Sequence, residues 1–292
     1  MKRYERIAEA VFCRPWAILP QYHQTICRVV ADRLSGGLHL EFPDKDERRF
    51  NDDAYQMGNV AVIPVYGVMA KRMNMIMAFS GGTSTEIVGR DFEEALNDRT
   101  VEAIVLDIDS PGGTVDGSFT LAEKVYNARG QKPIVAFVNG MATSAAYLLA
   151  SAADVIVGQR LGMVGSIGIY TTHVDYSQAN EQEGIRVTYI YAGEYKVTAN
   201  EDEALAQDGL EYLQGFVDRT YKDFVDDVAR NRGLDAQAVV DTKARVYLED
   251  EALALGLIDT VGELPGAITL ASNFNKGGLA DAILEREEKS SE

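Results

Sequence analysis

The chain has 292 residues, 46% of them hydrophobic, and carries 45 acidic against 28 basic side chains, for a net charge of −17. That length holds one large α/β domain with smaller appendages. The charge excludes a nucleic-acid binder, because neutralising phosphates requires clustered lysine and arginine. No apolar run reaches the ~20 residues that a membrane-spanning helix needs, and no His/Cys cluster has zinc-ligand spacing. The two cysteines, Cys13 and Cys27, are expected as reduced thiols of a cytoplasmic protein rather than as a disulfide framework. Met1 to Arg6 is charged like the start of a secretory signal. Glu9, Arg14 and two prolines then stand where an apolar h-region would lie, so a protein without a membrane span is expected.

Residues 1 to about 40 hold apolar stretches compatible with short helices. Residues 41–58, centred on Asp44-Lys45-Asp46-Glu47-Arg48-Arg49, read as a linker or exposed arm, which places the first boundary at 58. Val60 to Gly67 has strand character. Met69 to Ser80 carries five methionines or phenylalanines; core packing is the first expectation and a substrate groove the second. A helical pattern runs from Ser84 to Asp98. Val101 to Ile108 is a continuous apolar strand, as expected for a strand buried on both faces. Helix Asp116 to Ala128, strand Pro133 to Val138, helix Ala145 to Ala153 and strand Asp154 to Val157 follow. This alternation predicts βαβ units with right-handed crossovers.

A Gly-rich turn is expected from Gly162 to Gly168, then strand Ile169 to Thr172, helix Val174 to Glu183 and strand Arg186 to Tyr191. From Glu201 to Arg232, Leu205, Leu210, Leu213, Phe216, Val217, Tyr221, Phe224 and Val228 recur at three- and four-residue steps. That long amphipathic helix either packs on its own sheet or forms a subunit interface. Glu249 to Leu255 is a last short helix. The core domain is expected over 59–270, with a polar tail over 271–292.

The chemistry centres on Gly140-Met141-Ala142-Thr143-Ser144-Ala145-Ala146-Tyr147. A strand-to-helix turn exposes a serine hydroxyl among small side chains and sets it at the positive end of a helix dipole. The alternative role for Ser144 is a helix N-cap. Upstream, Asp109-Ser110-Pro111-Gly112-Gly113 ends another strand. Its glycine pair lets the backbone approach a substrate and, with the N–H of Ala145, form an oxyanion hole; a tight turn requires the same residues. Ser144 needs a base. The histidines are His23, His39 and His173, and Lys196 follows the β-rich run Val187 to Tyr191. A lysine acts as base when burial or a cationic neighbour weakens its hold on the proton.

In these blocks the chain resembles the signal peptide peptidase A family of Ser–Lys proteases, and within it the phage capsid-assembly, or head-maturation, branch. The resemblance runs from about Val60 to Gly266. It rests on the ordered blocks Asp107 to Gly113, Ala142 to Tyr147, Gly165-Ser166-Ile167-Gly168, Gly193-Glu194-Tyr195-Lys196 and Glu251 to Asp259. Arg14-Pro15-Trp16-Ala17-Ile18-Leu19-Pro20 also resembles the leader of phage capsid proteases. The resemblance implies a ClpP/crotonase-like α/β fold of repeated ββα units with a mostly parallel sheet, and a helical extension for oligomerisation. It implies Ser144 as nucleophile and Lys196 as base, with Gly112, Gly113 and Ala145 as the oxyanion hole. Ser166 would orient Lys196 or serve as a turn serine.

Related chains often have a proline shortly after this lysine; here the sequence is Val197-Thr198-Ala199-Asn200. His173 keeps a ClpP-like alternative open, since it lies about thirty residues beyond Ser144 beside Asp175. The resemblance further implies a ring homo-oligomer, no cofactor, and peptide or protein substrates such as scaffold, portal and capsid proteins in a bacterial host cytoplasm or prohead. A cellular signal-peptide-peptidase-like protease, a crotonase-like acyl-CoA enzyme and a non-enzymatic capsid protein are the other readings.

Overall fold

A computed structural model of the chain describes residues 15–34, 54–72 and 82–274. His39, Cys13, most of the linker, the methionine-rich stretch beyond Arg72 and the polar tail beyond Phe274 lie outside the described residues.

The core is a mostly parallel sheet covered on both faces. In chain order its strands are β2 (Tyr55–Met57), β3 (Val60–Tyr66), β6 (Ala103–Ser110), β8 (Ile134–Thr143), β9 (Val155–Gly158), β10 (Met163–Gly165), β11 (Val246–Tyr247) and β12 (Thr260–Val261). Strands β3, β6, β8 and β9 pair in parallel, β12 is parallel to β9, and β2 and β11 are antiparallel edges on β3 and β10. A second sheet of four short strands runs β1 (Trp16–Ile18), β7 (Gly112–Thr114), β4 (Val68–Ala70) and β5 (Gly82–Ser84).

Period-two alternation explains the unbroken apolar runs. Ile63, Ile104, Leu106, Ile134 and Ala136 face one layer, built by α2 (Thr85–Asn97), α3 (Val115–Asn127), α4 (Ala145–Ser151) and part of α6 (Gln207–Arg232). Their neighbours Val62, Val105, Val135 and Phe137 face the other layer, where Ala267 and Ala271 of the last helix (Leu264–Asn273) bring its backbone onto the sheet. That helix is not anticipated by the sequence analysis, nor is the short helix Ala236–Asp241. In chain order the remaining helices are α1 (Pro20–Leu34), α5 (Ser177–Gln182), α7 (Ala236–Asp241), α8 (Glu249–Ala254) and α9 (Leu264–Asn273).

The fold class and the alternation from Val60 to Val157 follow the sequence expectation. Five details differ. The N-terminal segment is built into the core: β1 pairs with β7, and α1 packs Ile26 and Val30 on Trp16 and Ile18. The 162–168 turn contains strand β10, which joins the end of β8. Of Ile169 to Thr172, only Tyr170 pairs, in a bridge to Trp16. Arg186 to Tyr191 forms no strand, since among the described residues no strand lies beside it; Ile190 is 98% exposed. The long helix begins at Gln207 rather than Glu201, because Asn200 Oδ1 accepts the Asp202 N–H at 3.0 Å and diverts the backbone. No helix among the described residues is long and apolar enough to cross a membrane.

One buried ion pair ties α6 to the far edge of the sheet. Arg232 grips Asp259 through two nitrogens at 2.7 and 2.9 Å and also donates to the Gly256 carbonyl. Asp259 Oδ2 in turn accepts the Ile156 N–H of β9 at 2.8 Å. The Arg232 side chain is 5% exposed. Asp259→Ala leaves that guanidinium buried without its counter-charge, and a loss of about 3–5 kcal/mol is expected in urea denaturation.

Candidate active site

Strand β8 carries the site at its end. Its first half lies between β6 and β9, and Met141 to Thr143 run on to pair with β10. The chain then turns through Ser144 at φ 57° and ψ −121° into α4. A non-glycine residue in that region is strained by roughly 1–3 kcal/mol. The strain is held by the Ser144 N–H, which donates to the Gly165 carbonyl at 2.8 Å, and by the Ser144 carbonyl, which accepts from Leu148 at 3.0 Å.

The N-cap role is not taken. Ser144 occupies the cap position, but its hydroxyl makes no cap hydrogen bond; Oγ lies 3.5 Å from the Gly168 carbonyl instead. The hydroxyl is thus directed away from the helix it precedes. As a first-turn residue, Ala145 has an N–H with no acceptor inside its helix. Every residue of α4 is buried. Its far end is capped by Arg129, whose guanidinium donates to the carbonyls of Ser151, Ala152 and Ala153 at 2.6–2.9 Å. The helix that presents Ser144 is therefore fixed at both ends.

The glycine pair lies beside Ser144. A side chain on Gly112, which has φ 98°, would come within 3.0 Å of Ser144 Cβ and 2.3 Å of the Ala17 carbonyl. On Gly113 it would stand 1.8 Å from the Met69 carbonyl. Both positions admit only glycine. The Gly112 N–H donates to Ser110 Oγ at 3.2 Å, and that hydroxyl donates to the Gly67 carbonyl at 2.6 Å. Ser166 is buried next to the elbow, with its N–H on the Arg245 carbonyl at 2.7 Å and φ 53°.

The structure brings Ser144, Gly112, Gly113, Ala145 and Ser166 together. It does not join either candidate base to Ser144 within the chain. Lys196 is exposed in a turn, and among the described residues its ammonium makes no hydrogen bond. His173 Nε2 is 2.9 Å from the Asn200 carbonyl, so that nitrogen is spent on the loop that carries Lys196. His23 is buried between Trp16 and Tyr170, 3.5 Å from the free thiol of Cys27, which burial pushes up. Met69 is a core residue of the second sheet, as the first expectation had it.

Sequence reasoning did not single out three residues that shape the site. Gly168 receives the Ser144 hydroxyl, Ser110 holds the Gly112 N–H, and Arg129 caps α4. Ser110 and Gly168 sit inside the motif blocks and were within reach; nothing in the sequence marks Arg129.

Residues 127–276, just over half of the chain, match Peptidase family S49. The chain belongs to peptidase family S49. It is 36% identical over 241 residues to the capsid assembly protease C of Escherichia phage lambda, covering 81% of this chain and 55% of that protein. It is 35% identical over 235 residues to the head-tail preconnector protein GP5 of Enterobacteria phage P21, covering 79% and 47%. The chain thus spans about half the length of the curated relatives it matches. A putative protease of Methanocaldococcus jannaschii is 36% identical over 166 residues, 56% of this chain and 53% of that one. Among solved structures, a ClpP1 mutant from Listeria monocytogenes superposes on 71% of this chain and 94% of its own at a TM-score of 0.45 and 13% identity. The S49 match contains Ser144, Ser166, His173 and Lys196, while the glycine pair lies upstream of it.

Two substitutions test this candidate site. Gly113→Ala is expected to abolish activity and to lower the melting temperature, because its methyl overlaps the Met69 backbone. Ser144→Gly is expected to be inactive yet about 1 kcal/mol more stable in urea denaturation, as relief of the positive φ exceeds the added freedom of glycine when unfolded.

Proposed function

We propose that the chain is a serine endopeptidase with Ser144 as nucleophile and Lys196 as general base. The observation that carries this reading is the Ser144 elbow: a strained, positive-φ serine whose hydroxyl declines the cap bond open to it. Ser144 Oγ adds to the scissile carbonyl while its proton passes to the Lys196 amine. The oxyanion meets the Ala145 N–H and the glycine strand. The leaving amine takes the proton, and water then releases the acyl group from Ser144 by the same steps in reverse.

Lys196 comes to Ser144 through assembly in this reading. A lysine acts as base when it is desolvated, and in the single chain Lys196 is exposed. Around it lie Ile185, Tyr189, Ile190, Tyr191 and Tyr195, with Tyr212 and Phe216 of α6, all exposed. Tyr195 stacks on Tyr212 at 5.3 Å, which joins the lysine turn to the helix as one apolar surface. Apolar surface of that extent fits a second copy of the chain, and a ring of copies would bury Lys196. The substrates proposed are extended segments of scaffold, portal and capsid proteins in the host cytoplasm or prohead; the similarity to a phage capsid assembly protease and a head-tail preconnector protein supports this class.

Covalent labelling with a fluorophosphonate, read by intact-protein mass spectrometry, tests the mechanism. Ser144→Ala is expected to lose the label, and Lys196→Ala to slow labelling by about 10²–10⁴-fold. Labelling that persists in Lys196→Ala and vanishes in His173→Ala would move the base to His173. Ile190→Asp is expected to lower both the sedimentation coefficient and the labelling rate; a fully active monomer would refute base supply through assembly.

A further inference from the structure

Ser144 is only 1% exposed, although a peptidase serine must meet an incoming chain. Strand β1 lies beside it: a methyl group on Gly112 would meet the Ala17 carbonyl at 2.3 Å and Ser144 Cβ at 3.0 Å. It runs antiparallel to the glycine strand, with Ala17 opposite Gly113 and Ile18 opposite Gly112. The Leu19 N–H donates to the Pro111 carbonyl at 3.0 Å, and the Val115 N–H to the Pro15 carbonyl at 3.4 Å. On its other edge Trp16 exchanges two hydrogen bonds with Tyr170, at 2.9 and 3.1 Å. Tyr170 lies two residues beyond Gly168, the acceptor of the Ser144 hydroxyl. β1 is therefore an extended peptide laid between the two backbone edges that flank the nucleophile. Strand addition of this kind is how an extended substrate is gripped.

We propose that β1 is a built-in pseudo-substrate: it fills the peptide cleft of Ser144 and must leave before a protein substrate enters. The proposal rests on the serine peptidase reading above. Two features make β1 an occupant rather than a cleavable substrate. Pro20 stands two residues beyond Ile18, and the Leu19 carbonyl accepts the N–H groups of Tyr22 and His23, so the chain curls into α1 instead of continuing extended past the serine. α1 then covers the strand, with Ile26 and Val30 packed against Trp16 and Ile18. The occupant also reports what the cleft selects. The Ala17 side chain points into the main core and is fully buried, so its register position takes a small residue. Trp16 and Ile18 point the other way, onto α1. A substrate that replaces β1 is an apolar extended segment with alanine or another small residue opposite Gly113.

Trp16 is the chain's one tryptophan, which makes release of β1 directly visible. The experiment uses the full chain, a small alkyl fluorophosphonate, and an extended peptidyl phosphonate with alanine next to its reactive group. The wild type is compared with the double variant Trp16→Phe/Ile18→Ala and with Ile26→Ala/Val30→Ala, which loosens the cover and keeps Trp16. Both variants are expected to react with the peptidyl probe at least about tenfold faster, because the rate scales with the open fraction. The small probe is expected to change by less than about threefold, which also verifies an intact site. Labelling by the peptidyl probe is expected to shift Trp16 emission to the red, and a peptide of residues 14–19 carrying Trp16→Phe is expected to reverse the gain in the loosened chains. If the small probe reacts normally while the peptidyl probe gains nothing, or if the wild type is fully labelled without a change in Trp16 emission, β1 is a wall of the cleft and the proposal fails alone. If neither probe labels Ser144 in any of the chains, the peptidase reading fails and the proposal with it.

Discussion

The site depends on how one strand ends. β8 outruns β9, stays paired with β6 as far as Ala142, gains a new partner in β10, and is then bent at Ser144 into a helix that is buried along its whole length. Each step needs small side chains. Ala142, Ala145, Ala146 and Ala150 leave room for the strand end and the helix to sit inside the core. The bend stores strain at a residue that a stability-minded sequence would make glycine. The Gly165 carbonyl at one end of the bend and Arg129 at the far end of α4 hold it in place. Stability is thus given up at one residue and recovered from its surroundings, as is usual where backbone geometry sets a nucleophile.

A second constraint acts on the opposite wall. Gly112 and Gly113 are confined between β1, β4 and the elbow, with no space for a methyl group on either. Bare backbone is needed there for two purposes. It lets the N–H groups approach a reacting carbonyl, and it offers an open ladder edge to an extended peptide. The second property explains why the chain's own N-terminal strand can lie there: the edge that binds a substrate also binds any extended segment nearby of suitable size. Tethering raises the local concentration of β1 far above that of a free peptide.

The legible and illegible parts of the sequence divide on locality. The apolar runs of β3, β6 and β8 and the period of α6 are local signals, and each element appears near its expected place. Ser144, Gly112, Gly113 and Ala145 were legible because elbow and glycine turn are short motifs that the structure places side by side. Trp16 to Ile18 were not, since three residues carry no period and their strand exists only because Gly112–Thr114 and Tyr170 lie on either side. Arg186 to Tyr191 shows the reverse case. It has strand composition but no strand beside it among the described residues, and composition alone cannot supply the hydrogen bonds of a ladder. Arg129 and Asp259 act across more than twenty residues of chain, on carbonyls and a guanidinium that no sequence window contains.

The two incomplete features of the single chain point the same way. Ser144, the proposed nucleophile, has the Ala145 N–H beside it but no base bonded to it, and in the proposed reading its cleft is filled by β1. The loop that carries Lys196 is nevertheless well organised. Asn200 bonds back to Val197 at 2.9 Å, His173 holds the Asn200 carbonyl, and Asn180 and Tyr189 both bond Asp202. A loop ordered before it meets its partner loses little entropy on docking. His173 tethers the lysine loop through the Asn200 carbonyl, a role that accounts for this histidine in the proposed Ser–Lys reading. On the proposed reading, a chain built this way stays inert while alone and gains base and open cleft through separate contacts, one along the exposed tyrosines of the 185–196 segment and one at the β1–α1 strap. Either contact by itself would leave the serine idle, so proteolysis would be confined to the assembled state.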